Sequence, residues 1–222
     1  MAITFTYMSP GLMAAIEGSG HWLMNTDGVW GSDDDPAVQA IIDAFDAVGY
    51  ERGQRQATLN AACSAAINAG FPSSALGEAS TYTVTPTDQT NLISACTAAQ
   101  AALAASKAWS ANLTVNEFDV VFVSGHYYLA ITGGSTGATE PATWPTAFQQ
   151  EITDGSVIWA LAGWLLGTAS GNQWHTVQQV VQVYNTYLAF INKQRSIYTT
   201  LLGQLAAATS VADVDAIAWP AS

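Results

Sequence analysis

The chain has 222 residues, half of them hydrophobic and 10% charged, with a formal net charge of −12. So much apolar content excludes a disordered chain. Five basic residues against 17 acidic ones exclude the Lys and Arg clusters that nucleic-acid phosphates or anionic membrane surfaces require. So few charges leave much of the surface to Ala, Thr, Ser, Asn and Gln or to other subunits, and an oligomer is expected.

Residues 1–35 are punctuated by "SPG", "GSG", "TDG" and "GSDDDP", which predicts a turn-rich segment. "TFTY" reads as a short strand, and Trp22 and Trp30 flank a turn at Asn25–Gly28 that predicts a hairpin. The opening residues lack a basic stretch followed by a long apolar core, so no export signal is expected. No apolar run reaches membrane-spanning length, and insertion into a membrane is not expected either. "SDDDP" has the residues of a helix start: a Ser or Asp cap, Pro36 in the first turn, and acids near the positive end of the dipole. The Asp run lacks the spaced ligands and terminal Glu of a calcium loop, so a cap is preferred to a metal site. The following helix places Val38, Ile41, Ile42 and Phe45 on one face.

A second helix is predicted from Arg52 to Ala69, with Leu59, Cys63, Ala66 and Ile67 together and Gly70 as its stop. "FPSSALGEASTYTVTP" reads as an extended connection. A third helix follows, capped by Thr87 or Asp88, with an apolar seam of Leu92, Cys96, Ala99 and Leu103. Cys63 and Cys96 are the only cysteines; both fall on helices and are expected to be buried thiols.

Residues 109–163 break the helical pattern. "FDVVFV" and "HYYLAI" are β-rich runs joined by Ser124–Gly125, a hairpin signal. On the second run Tyr127, Leu129 and Ile131 share one face and His126, Tyr128 and Ala130 the other. "GGSTGATEPATWP" is a loop, and "DGSVIWALA" a turn and a third strand. From Gln173 to about Ala208 the longest helix is expected, with Val177, Tyr184, Ile191, Tyr198 and Leu205 recurring every seven residues. A short capped helix and Ile217 and Trp219 close the chain.

The two helical segments, "ATLNAACSAAINAGFPSSALGEASTYTVTPTDQTNLISA" and "QWHTVQQVVQVYNTYLAFINKQRSIYTTLLGQLAAATSVADVDAIAW", together resemble an uncharacterised helical domain (DUF4376-like) of bacteriophage tail-fibre and tail-tip proteins. Between them, "AWSANLTVNEFDVVFVSGHYYLAITGGSTGATEPATW" is similar to the small β-modules of phage tail fibres. Those in turn resemble chitinase-type carbohydrate-binding modules, through Trp109, Gly125, Tyr128 and Ala130. Phe118 stands where such modules often have glycine.

The expected fold is α+β: a helical bundle, trimeric by the resemblance to tail fibres, with an inserted small all-β module and a turn-rich N-terminal segment. The divisions are residues 1–49 for virion docking, 50–108 and 172–222 for the helical domain, and 109–171 for the module. The resemblance implies a structural protein of the phage tail, in the virion and made in the host cytoplasm. It would be a short fibre or a tail-tip or baseplate-attached protein, touching other tail proteins through its N-terminal segment and the host surface through the module. A tail-fibre assembly chaperone and a stand-alone carbohydrate-binding protein are the alternatives.

Catalysis is not expected. His21, His126 and His175 are far apart in sequence, none has metal-ligand spacing, and no carboxylate is placed by sequence to orient His126. His175, after Trp174 at a helix start, is expected to make a cap or interface hydrogen bond. Glu117, Asp119, Glu140, Glu151 and Asp154 read as turn and edge residues, in a module too small for a substrate cleft. No cofactor or metal is implied. Aromatic rings can stack on a sugar while small polar groups bond its hydroxyls, so Tyr127, Tyr128, Trp144, Thr132, Thr143 and Trp109 are the candidate ligand residues, for a sugar or a protein partner. The opposing reading is that these aromatics are the module's own core. Tyr184, Ile191 and Tyr198 are the candidate residues at a trimer axis, against the reading in which the stripe packs within one chain.

Overall fold

The computed structural model describes residues 3–221. The fold is α+β, with six helices and several small sheets among the described residues. The chain divides into two compact units, one running to Ser64 and resuming at Arg195, the other spanning Ala65–Gln194.

In the first unit, the N-terminal segment contains a helix, α1 (Pro10–Gly18), where only turns were expected. The Ser9 hydroxyl caps it by accepting from the Leu12 N–H, and Pro10 opens it with a pre-set φ. "TFTY" is not a strand. The expected hairpin is present, with β1 (Leu23–Thr26) and β2 (Val29–Ser32) antiparallel. Asp27 and Gly28 have φ of 53° and 84°, the left-handed pair of a type I′ turn. α2 (Asp35–Ala44) is capped by Asp34, and Leu12, Ile16, Val38 and Ile42 close a small core with Ile3.

The α2 helix stops at Phe45, whose ψ of 121° is extended. A new helix, α3 (Ala47–Asn68), starts behind Asp46, which accepts from the Gly49 N–H. A second core holds Leu59, Leu201, Leu205, Ala208, Val214 and Ile217. There the end of the long helix α5 (Val177–Ala207) meets the short α6 (Val211–Ala216), which is fixed by a Ser210–Asp213 capping box. Arg52 donates to the Ala208 carbonyl, and Arg55 donates to Asp215.

In the second unit, the extended connection after α3 is two paired strands, β3 (Phe71–Ser73) and β4 (Ser80–Tyr82). The α4 helix (Pro86–Ala105) is capped by Thr85 rather than Thr87 or Asp88. The Thr85 hydroxyl accepts from the Asp88 N–H while the Asp88 carboxylate takes the Thr85 N–H, a reciprocal box with Pro86 at the first helical position. The β-rich region supplies β5 (Lys107–Ala108), β6 (Thr114–Val115), β7 (Val120–Val123), β8 (His126–Thr132), β9 (Gly134–Ser135), β10 (Glu151–Asp154), β11 (Val157–Leu161), β12 (Gly163–Thr168) and β13 (Gly171–Thr176).

One sheet has the order β10-β11-β8-β7-β5, antiparallel except for the β5–β7 pair. A second has the order β13-β12-β4-β3. The β7–β8 hairpin turns at Ser124 and Gly125, with φ of 49° and 87°, as the sequence predicts.

The first sheet packs on a core at each face, fully on one side and in part on the other, where Phe122 and Ile131 stay exposed. Val121, Val123, Tyr128, Ala130, Val157 and Trp159 fill one core. On the other face Val120 joins, and Tyr127 and Leu129 pack against, a core that includes Leu92, Ala95, Cys96, Ala99, Val177, Val180 and Val183. The β-rich region therefore shares its core with α4 and the start of α5.

Tyr128 is 1% exposed and belongs to the core, not to a binding surface. On α5, Ile191 is buried in this unit's core, with Tyr184 packed against it, while Tyr198 packs on the core of the first unit. Their apolar contacts are made within the chain.

Residues Gln173–Thr176, expected as the start of the last helix, are strand β13, in full register with β12. His175 is therefore not a cap. It is fully buried, with Nε2 2.6 Å from the Tyr82 hydroxyl and Nδ1 2.8 Å from the Gln173 carbonyl. A neutral imidazole satisfies both, with Nδ1–H donating to the carbonyl and Nε2 accepting from the tyrosine. Burial holds the His175 pKa below its ordinary value of 6.5. An unfolded chain then binds a proton that the folded chain refuses. Stability is full above pH 6.5 and declines as pH falls from that value towards the depressed folded pKa. Thermal denaturation followed from pH 7 to 5 is expected to show this decline, and His175→Asn, which does not titrate, removes that part of it.

Candidate ligand-binding groove

The loop "GGSTG" (residues 133–137) lies against the β10–β11 turn because glycine allows the approach. At Gly155 φ is 65°, and a Cβ there would sit 2.3 Å from the Ser135 carbonyl oxygen and 2.8 Å from the Gly137 nitrogen. The Ser156 N–H donates to the Ser135 carbonyl at 2.9 Å, and the Ser135 N–H to the Ser156 hydroxyl at 2.8 Å. Thr136, 3% exposed, accepts from the Leu113 N–H and donates to the Ser110 carbonyl.

Beneath this crossing lies Asp154, 3% exposed. Its Oδ2 accepts from the Trp109 indole at 2.7 Å and the Trp159 indole at 3.2 Å, while Oδ1 accepts from the Gly137 N–H at 2.7 Å. Three donors around one carboxylate supply the hydrogen bonds that a buried charge requires. Trp109 thus has its polar end committed inward.

Trp144 packs on this core, with ring centroids 4.5 Å from Tyr128 and 6.2 Å from Trp159. The Tyr128 hydroxyl donates to the Pro145 carbonyl at 2.9 Å, tying the loop that carries Trp144 to β8. Trp144 is only half-buried. With Thr143, Thr146, Gln150 and Glu151 it lines an open groove of about 470 Å³. Glu140 accepts from its indole N–H at 3.1 Å. A half-covered ring rimmed by hydroxyls, an amide and carboxylates can stack on a flat ligand face and bond its polar edge.

Of the six candidate ligand residues, the structure brings Trp144 and Thr143 together at this groove. Tyr127 is half-buried beside Phe122, at a centroid distance of 4.8 Å, and Thr132 is exposed on β8. Tyr128 and Trp109 support the site from beneath. Gln150 and Glu151 were missed as groove residues, because a loop from Thr139 to Gln150 without helix or strand leaves no periodicity to place them. Phe118, which stands where the resembling modules often have glycine, has a φ of 70°, and its ring is 68% exposed.

No group of three or more His, Cys, Asp or Glu suited to a metal occurs among the described residues. His21 faces Asp33 at 3.3 Å on an exposed surface, and His126 is half-buried on β8.

Asp154→Ala strands two indole donors and a backbone N–H, and is expected to cost about 3 kcal/mol at roughly 1 kcal/mol or more per orphaned group. Gly155→Ala meets backbone on its open side and is expected to cost about 2 kcal/mol or more. Urea unfolding followed by tryptophan fluorescence measures both.

No curated protein and no solved structure matches the chain. Residues 50–120 match the model of a domain of unknown function (DUF4376), a span from the body of α3 through β3, β4 and α4 to the start of β7, and this agrees with the domain resemblance read from the first helical segment.

Proposed function

We propose that this chain is a structural, non-enzymatic component of a bacteriophage tail, in a short fibre or at the tail tip or baseplate, and that it contributes to attachment at the host surface. The observation that carries the attachment role is the groove at Trp144, where a half-exposed indole is held by Tyr128 and Trp159 and rimmed by Thr143, Thr146, Gln150 and Glu151. Such a surface suits a sugar ring, whose apolar face stacks while its hydroxyls find acceptors and donors at the rim. The tail assignment rests on the resemblance of both helical segments to tail-protein domains; the match over residues 50–120 supports the domain itself.

In this reading the N-terminal segment docks to other tail proteins, and the chain assembles as a homotrimer. Tyr184 and Tyr198, half-buried on α5, keep surface free for a neighbour, whereas Ile191 does not. A solution mass three times that of one chain, by light scattering, is the expected result.

A glycan array followed by calorimetry tests the groove. Trp144→Ala is expected to weaken binding by about tenfold or more, as truncation of a central aromatic anchor does. Because Trp144 also supports Tyr128, Thr143→Ala and Gln150→Ala provide the second reading: both side chains are exposed, so these variants are expected to keep the melting temperature and still lose affinity. Mass spectrometry of purified particles tests the tail assignment. Finding the chain only in infected cells would favour the assembly chaperone.

A further inference from the structure

The Asp, Glu, Lys and Arg residues of the stretch that carries the groove are all acidic. From residue 108 to 192 the sequence contains no Lys or Arg. The same stretch carries Glu117, Asp119, Glu140, Glu151 and Asp154. Lys107, the flanking basic residue, lies 4.0 Å from Asp119. Asp154 is buried and bonded to the two indoles, so it presents no charge to the groove.

Glu140 and Glu151 are exposed, one bonded to the Trp144 indole and the other in the groove lining. The site therefore joins an aromatic face to two carboxylates, within a stretch of sequence that holds no Lys or Arg. An aromatic face attracts a cation through its quadrupole, and the carboxylates attract it by charge. An acidic sugar meets repulsion from the same carboxylates and from a chain of net charge −12.

Building on the glycan reading of this groove, we propose that it selects sugars bearing a protonated primary amine, of the de-N-acetylated glucosamine kind, over N-acetylated or uronic-acid sugars. The ring stacks on Trp144 while the ammonium lies towards Glu140 and Glu151. Fully N-acetylated rings keep the stacking and lose the charge pairing. Uronic acids reverse its sign.

The test is calorimetric titration of the full chain with glucosamine, N-acetylglucosamine and uronic-acid oligomers of equal short length, at low and at high salt. The amine-bearing oligomer is expected to bind about tenfold tighter than the acetylated one at low salt, with the preference shrinking at about 0.5 M salt as screening shortens the reach of the carboxylates. The double variant Glu140→Gln/Glu151→Gln keeps an acceptor for the Trp144 indole and removes both charges. It is expected to level the amine and acetylated affinities without abolishing either.

Equal binding of the amine-bearing and acetylated oligomers by the unaltered chain, lost in Trp144→Ala, overturns the charge selectivity and leaves the glycan groove standing. Amine-dependent binding that survives Trp144→Ala also overturns it, because it reports only the attraction of a polycation to an acidic chain. Binding of no sugar overturns both the selectivity and the reading beneath it.

Discussion

The sheet formed by β10, β11, β8, β7 and β5 packs on a core at each face, and the unit from Ala65 to Gln194 depends on that constraint. Successive side chains on a strand point to opposite sides, so β8 must satisfy two environments at once. Tyr128 and Ala130 enter the core that holds Trp159, while Tyr127 and Leu129 pack on the core built from α4 and α5. A one-residue slip would exchange the two sets. The Ser124–Gly125 turn, whose left-handed dihedrals admit only a two-residue connection of this hand, holds the register.

The polar interior follows from the same packing. Trp159 is fully buried and Trp109 partly so, and Asp154 supplies the acceptor for both indole N–H groups. On the neighbouring sheet, His175 and Tyr82 satisfy one another in the same way. These buried polar groups join segments far apart in sequence: 109 with 154, and 82 with 175. They fix which strands meet, because any other pairing would leave a buried donor or acceptor unmet.

Much of this order is legible in the residues. The β7–β8 hairpin, the β1–β2 hairpin, the Asp-rich cap of α2 and the apolar seam of α4 follow from local chemistry, and the structure has all four. The failures have physical causes. "SPG" reads as a turn, yet Ser9 and Pro10 are a cap and a first helical residue, and Gly11 is small because the Tyr50 ring occupies the space its Cβ would need. "QWHT" carries helix-like polarity, but pairing with β12 decides it, and that partner lies across the turn at Gly171. Which aromatics face a ligand was half legible. Alternation separates Tyr127 from Tyr128 without saying which is buried: Tyr128 is in the core, and Tyr127 is half-buried on a face where Ile131 stays exposed. Trp144 lies in a segment with no period at all, so its placement comes from the Tyr128–Pro145 hydrogen bond and ring packing.

The loop from Thr139 to Gln150 contains no helix or strand. It leaves the sheet after Gly137, which is bonded to Asp154, and rejoins it at Glu151, the first residue of β10. Both ends are anchored by interactions that do not involve the loop's exposed side chains. Mutation along this stretch can therefore alter the groove's shape and charge with little cost to folding, provided that Tyr128 keeps its acceptor and an aromatic ring remains to cover it. Apart from Trp144, the residues that shape the rim and those that hold the fold are separate, so the rim can be redrawn on an intact scaffold.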